Sequence, residues 1–155
     1  MLYWEDLEVG SDTLFGYYDV TREEVLQFAR NYDPQPFHLS DEAAAKTHFG
    51  RIAASGWHTG AMSMRVIVDA LIKVPQAGLG SPGIDDLRWL KPVYPGDRLA
   101  VHGEILEKTP SRSKPELGTI RTKTTVTNQD GVDVMRYTSI VLMQRRPSDP
   151  PNARA

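Results

Sequence analysis

The sequence predicts an α+β domain in which one antiparallel sheet wraps around a long helix. Three observations carry that expectation. The chain opens on a strand, passes through short helical segments into a long helix that is apolar nearly all round, and ends in a run of strands. The later strands alternate with period two and are joined by hairpin-turn residues. At 155 residues the chain is long enough for one domain with a real core and short of the length for two. The expected domain spans residues 1–146, and the polar, Pro-rich tail over residues 147–155 is expected to be disordered.

Thr13 to Val20 reads as the first strand, rich in aromatic and β-branched residues. Thr21 and Glu24 fit a capping box, and Val25, Phe28, Ala29 and Tyr32 follow as one helical stripe. Pro34 stops that helix, because the residue before a proline is pushed out of the α region. Ser40-Asp41-Glu42 starts a short second helix through about Thr47, with Gly50 marking its end. The long helix runs from about Ser55 to Lys73, and its narrow polar face implies burial by its surroundings. Gly56, Gly60, Ala61 and Ser63 keep its first turns slim, so that something can come close. Strands then follow over residues 84–93, 98–108, 119–128 and 132–145, with turns at Tyr94–Asp97 and Asn128–Gly131. Met135, Tyr137, Val141 and Met143 are expected on the sheet's far face, as a covered surface or a subunit contact.

Composition narrows the classes. A net charge of −2 without a basic block argues against a nucleic-acid partner. Zero cysteine excludes disulfides, thiolate metal ligands and a thiol nucleophile. The first residues lack the basic and apolar regions of a signal peptide, and the most apolar stretch, Ala61 to Val74, is broken by Arg65, Asp69 and Lys73. A cytoplasmic protein without a membrane segment is expected.

The stretch most able to carry chemistry is Tyr32-Asp33-Pro34-Gln35-Pro36-Phe37-His38. Two prolines fix the backbone between a carboxylate and an imidazole, so both can be held at one place with little entropy to lose. A histidine near its unperturbed pKa exchanges a proton at neutral pH, and a carboxylate orients it or acts beside it. Spacing alone leaves a structural turn open, since Asp before Pro is common where helices end. The second feature is Ser55-Gly56-Trp57-His58 at the head of the long helix. The first N–H groups of a helix lack internal partners, and a glycine lets a carbonyl oxygen approach them as an oxyanion site. Tight packing against the sheet is the alternative use of that glycine.

Taken together, Asp33-x-x-Pro36-x-His38 followed by Phe49 and Ile52 to Gly56 resembles the MaoC-like dehydratases, which include the (R)-specific enoyl-CoA hydratases. Lys91 to Asp97 resembles the same family's turn at the sheet edge, and the likeness runs from about Tyr18 to Met143. Two positions depart from the family's pattern: Gln35 stands where its Asn is usual, and Ser55 where a His is frequent. The resemblance implies a hotdog fold, a strongly curved antiparallel sheet around the helix beginning near Gly56, paired as a homodimer with continuous sheets. Asp33 and His38 would be the catalytic acid/base pair and Gly56 the oxyanion donor. Ser55, Gln35 and His58 complete the substrate-binding candidates. The substrate would be an acyl-CoA or acyl-carrier thioester, with no metal or redox cofactor.

Other residues take plainer readings. His58 points to the site or is simply packed, while His48 and His102 default to solvent or structural roles. Arg65 and Asp69, four apart, read as an ion pair. Arg112, Lys114, Arg121 and Lys123 form a modest basic group whose secondary use would be contact with CoA phosphates. Two further functions stay open beside hydration: thioester hydrolysis, and acyl-thioester binding without catalysis.

Overall fold

The computed structural model describes residues 1–147; the expected disorder of the tail beyond them lies outside the described residues. A 3-10 turn at Trp4–Asp6 precedes β1 (Asp12–Asp19), α1 (Arg22–Tyr32), α2 (Pro36–Leu39), α3 (Asp41–Ala45) and α4 (Gly56–Lys73). Four strands follow: β2 (Gly83–Trp89), β3 (Arg98–Pro110), β4 (Leu117–Thr127) and β5 (Asp133–Gln144). They form one antiparallel sheet in the order β1-β3-β4-β5-β2. With α4 packed on β1 and β3, this is the hotdog arrangement.

Local chemistry explains the ends of the elements. Thr21 Oγ1 accepts from the Glu24 N–H at 3.3 Å and caps α1. Glu24 does not return the bond to the Thr21 amide; its carboxylate accepts from the Tyr18 hydroxyl at 2.9 Å and from the Thr21 hydroxyl, tying α1 to β1. Ser40 Oγ caps α3 through the Ala43 N–H. Helix α2 was not expected: Pro36 occupies its first turn, where a missing N–H costs nothing, and so turns the Asp33–His38 stretch into a helical hook.

Two hydrophobic clusters hold the domain. The main one joins Val25 of α1, Met62 and Val66 of α4, and Leu99, Val101, Val126 and Met135 of the sheet. Gly16 lets α4 come close: at φ 150° beside a bulge, it would put any Cβ 3.3 Å from Val66. The second joins Leu7, Ile105, Ile120 and Met143 under the N-terminal turn, where Trp4 Nε1 donates to the Thr119 carbonyl.

Three expectations need correction. Met135 and Tyr137 belong to the main core instead of the far face, while Val141 and Met143 pack on the chain's own N-terminal turn. The pairing with β4 runs unbroken from Met135 to Met143, so all four side chains share one face of β5, and that face is the packed one. Strand β2 ends at Trp89, not Val93, and the following residues form a loop pinned by the Leu90 N–H on the Val134 carbonyl. Finally, α4 is not enclosed all round. Trp57, Met64, Val68 and Ile72 remain exposed along it.

Candidate active site

Asp33 is the C-terminal cap of α1, with its N–H on the Ala29 carbonyl and its backbone turned out of the helical region at φ −149°, ψ 66°. The proline after it forces that turn. Its carboxylate is then bound on both sides: Oδ1 accepts from Gln35 Nε2 at 2.7 Å, and Oδ2 faces His38 Nε2 at 3.4 Å. Burial works to raise the Asp33 pKa. The Gln35 amide, the Ser55 hydroxyl and the His38 ring outweigh it and hold the carboxyl below the usual carboxylate value.

His38 is buried on α2. Its Nδ1 lies 2.7 Å from the Ala53 carbonyl, which can only accept, so Nδ1 carries the proton and the neutral ring has its lone pair at Nε2. Phe37 meets the ring edge-on and Phe49 stacks on Phe37, so apolar walls fix the imidazole's tilt. A neutral His38 and an ionised Asp33 present two acceptors to each other across 3.4 Å. Only a proton on Nε2, or a water giving one hydrogen to each, satisfies both. A water held so is polarised by two bases.

Gly56 begins α4, with Ser55 as its N-cap. The Gly56 N–H has no intrahelical acceptor and no other partner among the described residues. The Ser55 hydroxyl is buried and closes no hydrogen bond of ordinary geometry, yet it stands near enough to the Asp33 carboxyl to help lower its pKa. Against the Gly56 Cα lies the indole of Trp89, so close that a Cβ there would come within 2.5 Å of the ring. Trp89 Nε1 also donates to the Gly56 carbonyl at 2.8 Å.

One pocket of about 540 Å³ brings Asp33, His38, Ser55 and Gly56 together, with Trp89 and Lys91 among its other walls. Gln35 does not line it; the amide acts on the carboxylate from outside. His58 does not line it either. Its ring stacks on Phe28 at 4.7 Å, with Nδ1 unpartnered, and burial lowers its pKa against the opposing pull of Glu24. Arg112, Lys114, Arg121 and Lys123 are absent from this pocket, and Arg121 is engaged by Asp85 at 2.9 Å. The sequence reading missed Trp57, Trp89 and Lys91 as site residues, although the motif Lys91 to Asp97 begins two residues after Trp89.

The MaoC-like domain model matches residues 9–128. The chain belongs to the MaoC-like domain family. A crystal structure of a MaoC-like dehydratase from Rhodospirillum rubrum is 39% identical, covers 96% of this chain and 100% of its own, and superposes with a TM-score of 0.86. The unliganded R-hydratase PhaJ1 of Pseudomonas aeruginosa is 27% identical over 99% of this chain and 97% of its own, with a TM-score of 0.72. A 3-hydroxybutyryl-CoA dehydratase of Methylorubrum extorquens is 33% identical over 119 residues, 76% of this chain and 72% of that relative. This MaoC-like domain therefore falls among hydratases and dehydratases in general. Among the described residues, no helix is long and apolar enough to cross a membrane.

Proposed function

We propose that this MaoC-like domain is a hydro-lyase that adds water reversibly across the double bond of a 2-enoyl-CoA, giving a 3-hydroxyacyl-CoA. One observation carries the reading: an acid/base pair and an unpartnered helix N–H converge on a single pocket. The thioester oxygen accepts from the Gly56 N–H, which draws electrons from the β-carbon. Water between Asp33 and His38 loses a proton to the pair as its oxygen bonds to the β-carbon. The double-bond electrons move to the thioester oxygen as an enolate, and the pair returns a proton to the α-carbon. Atoms and charge balance with no group beyond these side chains. In the reverse direction the same pair removes the α-proton and protonates the leaving hydroxyl.

Lys91 lines the pocket and supplies positive charge suited to a CoA phosphate. A homodimer also belongs to this reading. Strand β2 is an edge of the sheet, and Ile84 and Trp89 on it, with Trp57, Met64, Val68 and Ile72 on α4, form an exposed apolar border.

The test supplies crotonyl-CoA and follows loss of the conjugated thioester absorbance together with free thiol. Hydration without thiol release is the expected result; thiol release would make the protein a thioesterase, and binding with neither would make it a carrier of acyl thioesters. Asp33→Asn and His38→Ala are each expected to lower turnover about a hundredfold or more, the usual scale for acid/base groups. Near-normal rates in both variants would remove the site assignment.

A further inference from the structure

Between α3 and α4 the chain runs without regular structure, and Ile52, Ala53, Ala54 and Ser55 are all buried there. This segment carries much of the pocket's chemistry. The Ala53 carbonyl lies 2.7 Å from His38 Nδ1, the Ser55 hydroxyl stands by Asp33, and the next N–H is that of Gly56. A buried segment with no helix or ladder of its own must find its backbone partners elsewhere. It finds them on the turn Tyr94–Asp97 and the residue before it. The Ala54 N–H donates to the Val93 carbonyl at 2.8 Å, and the Tyr94 hydroxyl donates to the Phe49 carbonyl at 2.8 Å, so the segment is held at both ends. Between those two bonds the Arg51 guanidinium lies over the Tyr94 ring, 3.9 Å from its centre. The turn is itself fixed: Asp97 is buried, with Oδ2 accepting from the Tyr94 N–H at 2.8 Å and Oδ1 from Gln129 Nε2 at 3.0 Å. Tyr94 does not line the pocket, so whatever it does there it does through this segment.

We propose that Tyr94 is a positioning residue that sets the tautomer of His38. Two acceptors compete for the single proton of the neutral ring, the Ala53 carbonyl at Nδ1 and the Asp33 carboxylate at Nε2. The ionised acceptor makes the stronger bond at equal distance. The carbonyl holds the proton because it stands at 2.7 Å and the carboxylate at 3.4 Å. Distance thus keeps the lone pair at Nε2, where the water is polarised. Phe49 is where the Tyr94 hydroxyl exerts its hold. Its carbonyl takes the bond, its ring stacks on Phe37 at 5.5 Å and lies 6.0 Å from the His38 ring, and the chain reaches Ala53 four residues on. With the hydroxyl gone, the Phe49 carbonyl loses its partner and the Ala53 carbonyl is no longer held against Nδ1. The ring proton then passes to Nε2 and onto Asp33, which leaves no lone pair there for water. This role rests on the hydratase reading and adds a residue to its machinery.

The experiment labels the histidine ring nitrogens of the full chain and reads those of His38 by NMR above neutral pH, beside crotonyl-CoA turnover and the melting temperature. The wild type is expected to show a protonated Nδ1 and a bare Nε2; the reverse pattern overturns the proposal before any variant is made. Tyr94→Phe keeps the ring under Arg51 and removes only the oxygen. Both of its nitrogens are expected to move toward the average of the two tautomers, with kcat lower by about fivefold, the scale of one hydrogen bond, and KM unchanged. Arg51→Ala takes the cation off the ring and leaves the hydroxyl, so its nitrogens are expected to match the wild type. A Tyr94 that only supports the fold would lower the melting temperature of Tyr94→Phe and leave its nitrogens and kcat unmoved. That result overturns the positioning role, as does an Arg51→Ala that shifts the nitrogens equally far. The nitrogen signals do not depend on the reaction. A wild type that hydrates crotonyl-CoA while the Tyr94→Phe nitrogens stay put keeps the reaction and loses the role; shifted nitrogens without wild-type turnover do the reverse.

Discussion

The indole N–H of Trp89 donates to the carbonyl oxygen of Gly56 at 2.8 Å while its ring lies flat against the Gly56 Cα. A side chain at position 56 is therefore incompatible with Trp89 where it stands. In Gly56→Ala the new Cβ, 2.5 Å from the ring, displaces a bonded indole and tilts the first peptide of α4. Losing one oxyanion donor costs about 10²–10³ in turnover elsewhere, and a kcat fall of about a hundredfold is expected here. Trp89→Phe keeps the ring's bulk and loses only a hydrogen bond worth about 1 kcal/mol, so its loss is expected to be about fivefold. Steady-state kinetics on crotonyl-CoA decide both. Unchanged turnover in Trp89→Phe would mean that the indole acts by bulk alone.

Gln35 makes a different prediction, because its amide acts on Asp33 without lining the pocket. Burial pushes the Asp33 pKa up, and Gln35, Ser55 and His38 pull it below the usual value. Removing the Gln35 donor in Gln35→Ala leaves burial less opposed, so the Asp33 pKa rises. A base must be ionised to work, and the acid limb of kcat/KM against pH therefore moves to higher pH. Ser55→Ala shifts the limb in the same direction. Gln35→Asn tests reach, since the shorter amide starts one methylene further from the carboxylate; an acid limb unmoved in all three variants would detach Asp33 from these partners.

The Asp33–His38 pair, proposed as the acid and base, was legible in the sequence because its geometry is local. Asp33 and His38 are five residues apart with prolines between them, and the short-range backbone decides where both point. Gly56 was legible for the same reason, as the head of a strongly periodic helix. Trp89 was not. Its contact with Gly56 joins residues far apart in sequence and depends on the bulge between Asp85 and Arg88, which resets which β2 side chains face α4. Asp86 carries that bulge at φ 53°, a backbone state no alternation pattern reveals. For His58 the helix itself held the answer. Two residues beyond Gly56 is about 200° around α4, which turns the ring away from the pocket and onto Phe28.

That buried ring couples folding to pH. The His58 pKa is lowered by burial, with Glu24 opposing, so the folded state favours the neutral ring. Below about pH 6.5, the unfolded chain's ordinary histidine value, the unfolded state binds the extra proton more readily than the folded state. The contribution is full above that pH and is lost as pH falls toward the folded value. His58→Phe keeps the stack on Phe28 and removes the titration. Melting temperatures measured across the range from neutral to about pH 5 are expected to fall less steeply for His58→Phe than for the wild type. Parallel slopes would show that the other histidines and the carboxylates account for the acid sensitivity.

The exposed side of α4 carries the last prediction. Val68 is 42% and Ile72 71% exposed, and neither lines the pocket of Asp33 and His38. A second copy seated along α4 and the open β2 edge would withdraw both from water, at about 1.5–3 kcal/mol for each side chain fully buried. Placing a carboxylate at both positions in Val68→Asp/Ile72→Asp reverses that gain and sets like charges against each other across a two-fold axis. Sedimentation velocity is expected to show a dimer for the wild type and at least a tenfold weaker dimer for the double variant. Arg65 and Asp69, bonded to each other at 2.9 Å on the exposed surface, give the control: Arg65→Ala breaks a surface pair worth under about 1 kcal/mol and should leave the dimer in place. A wild-type monomer would remove the homodimer, and a double variant that dimerises as well as the wild type would place the seam on another surface.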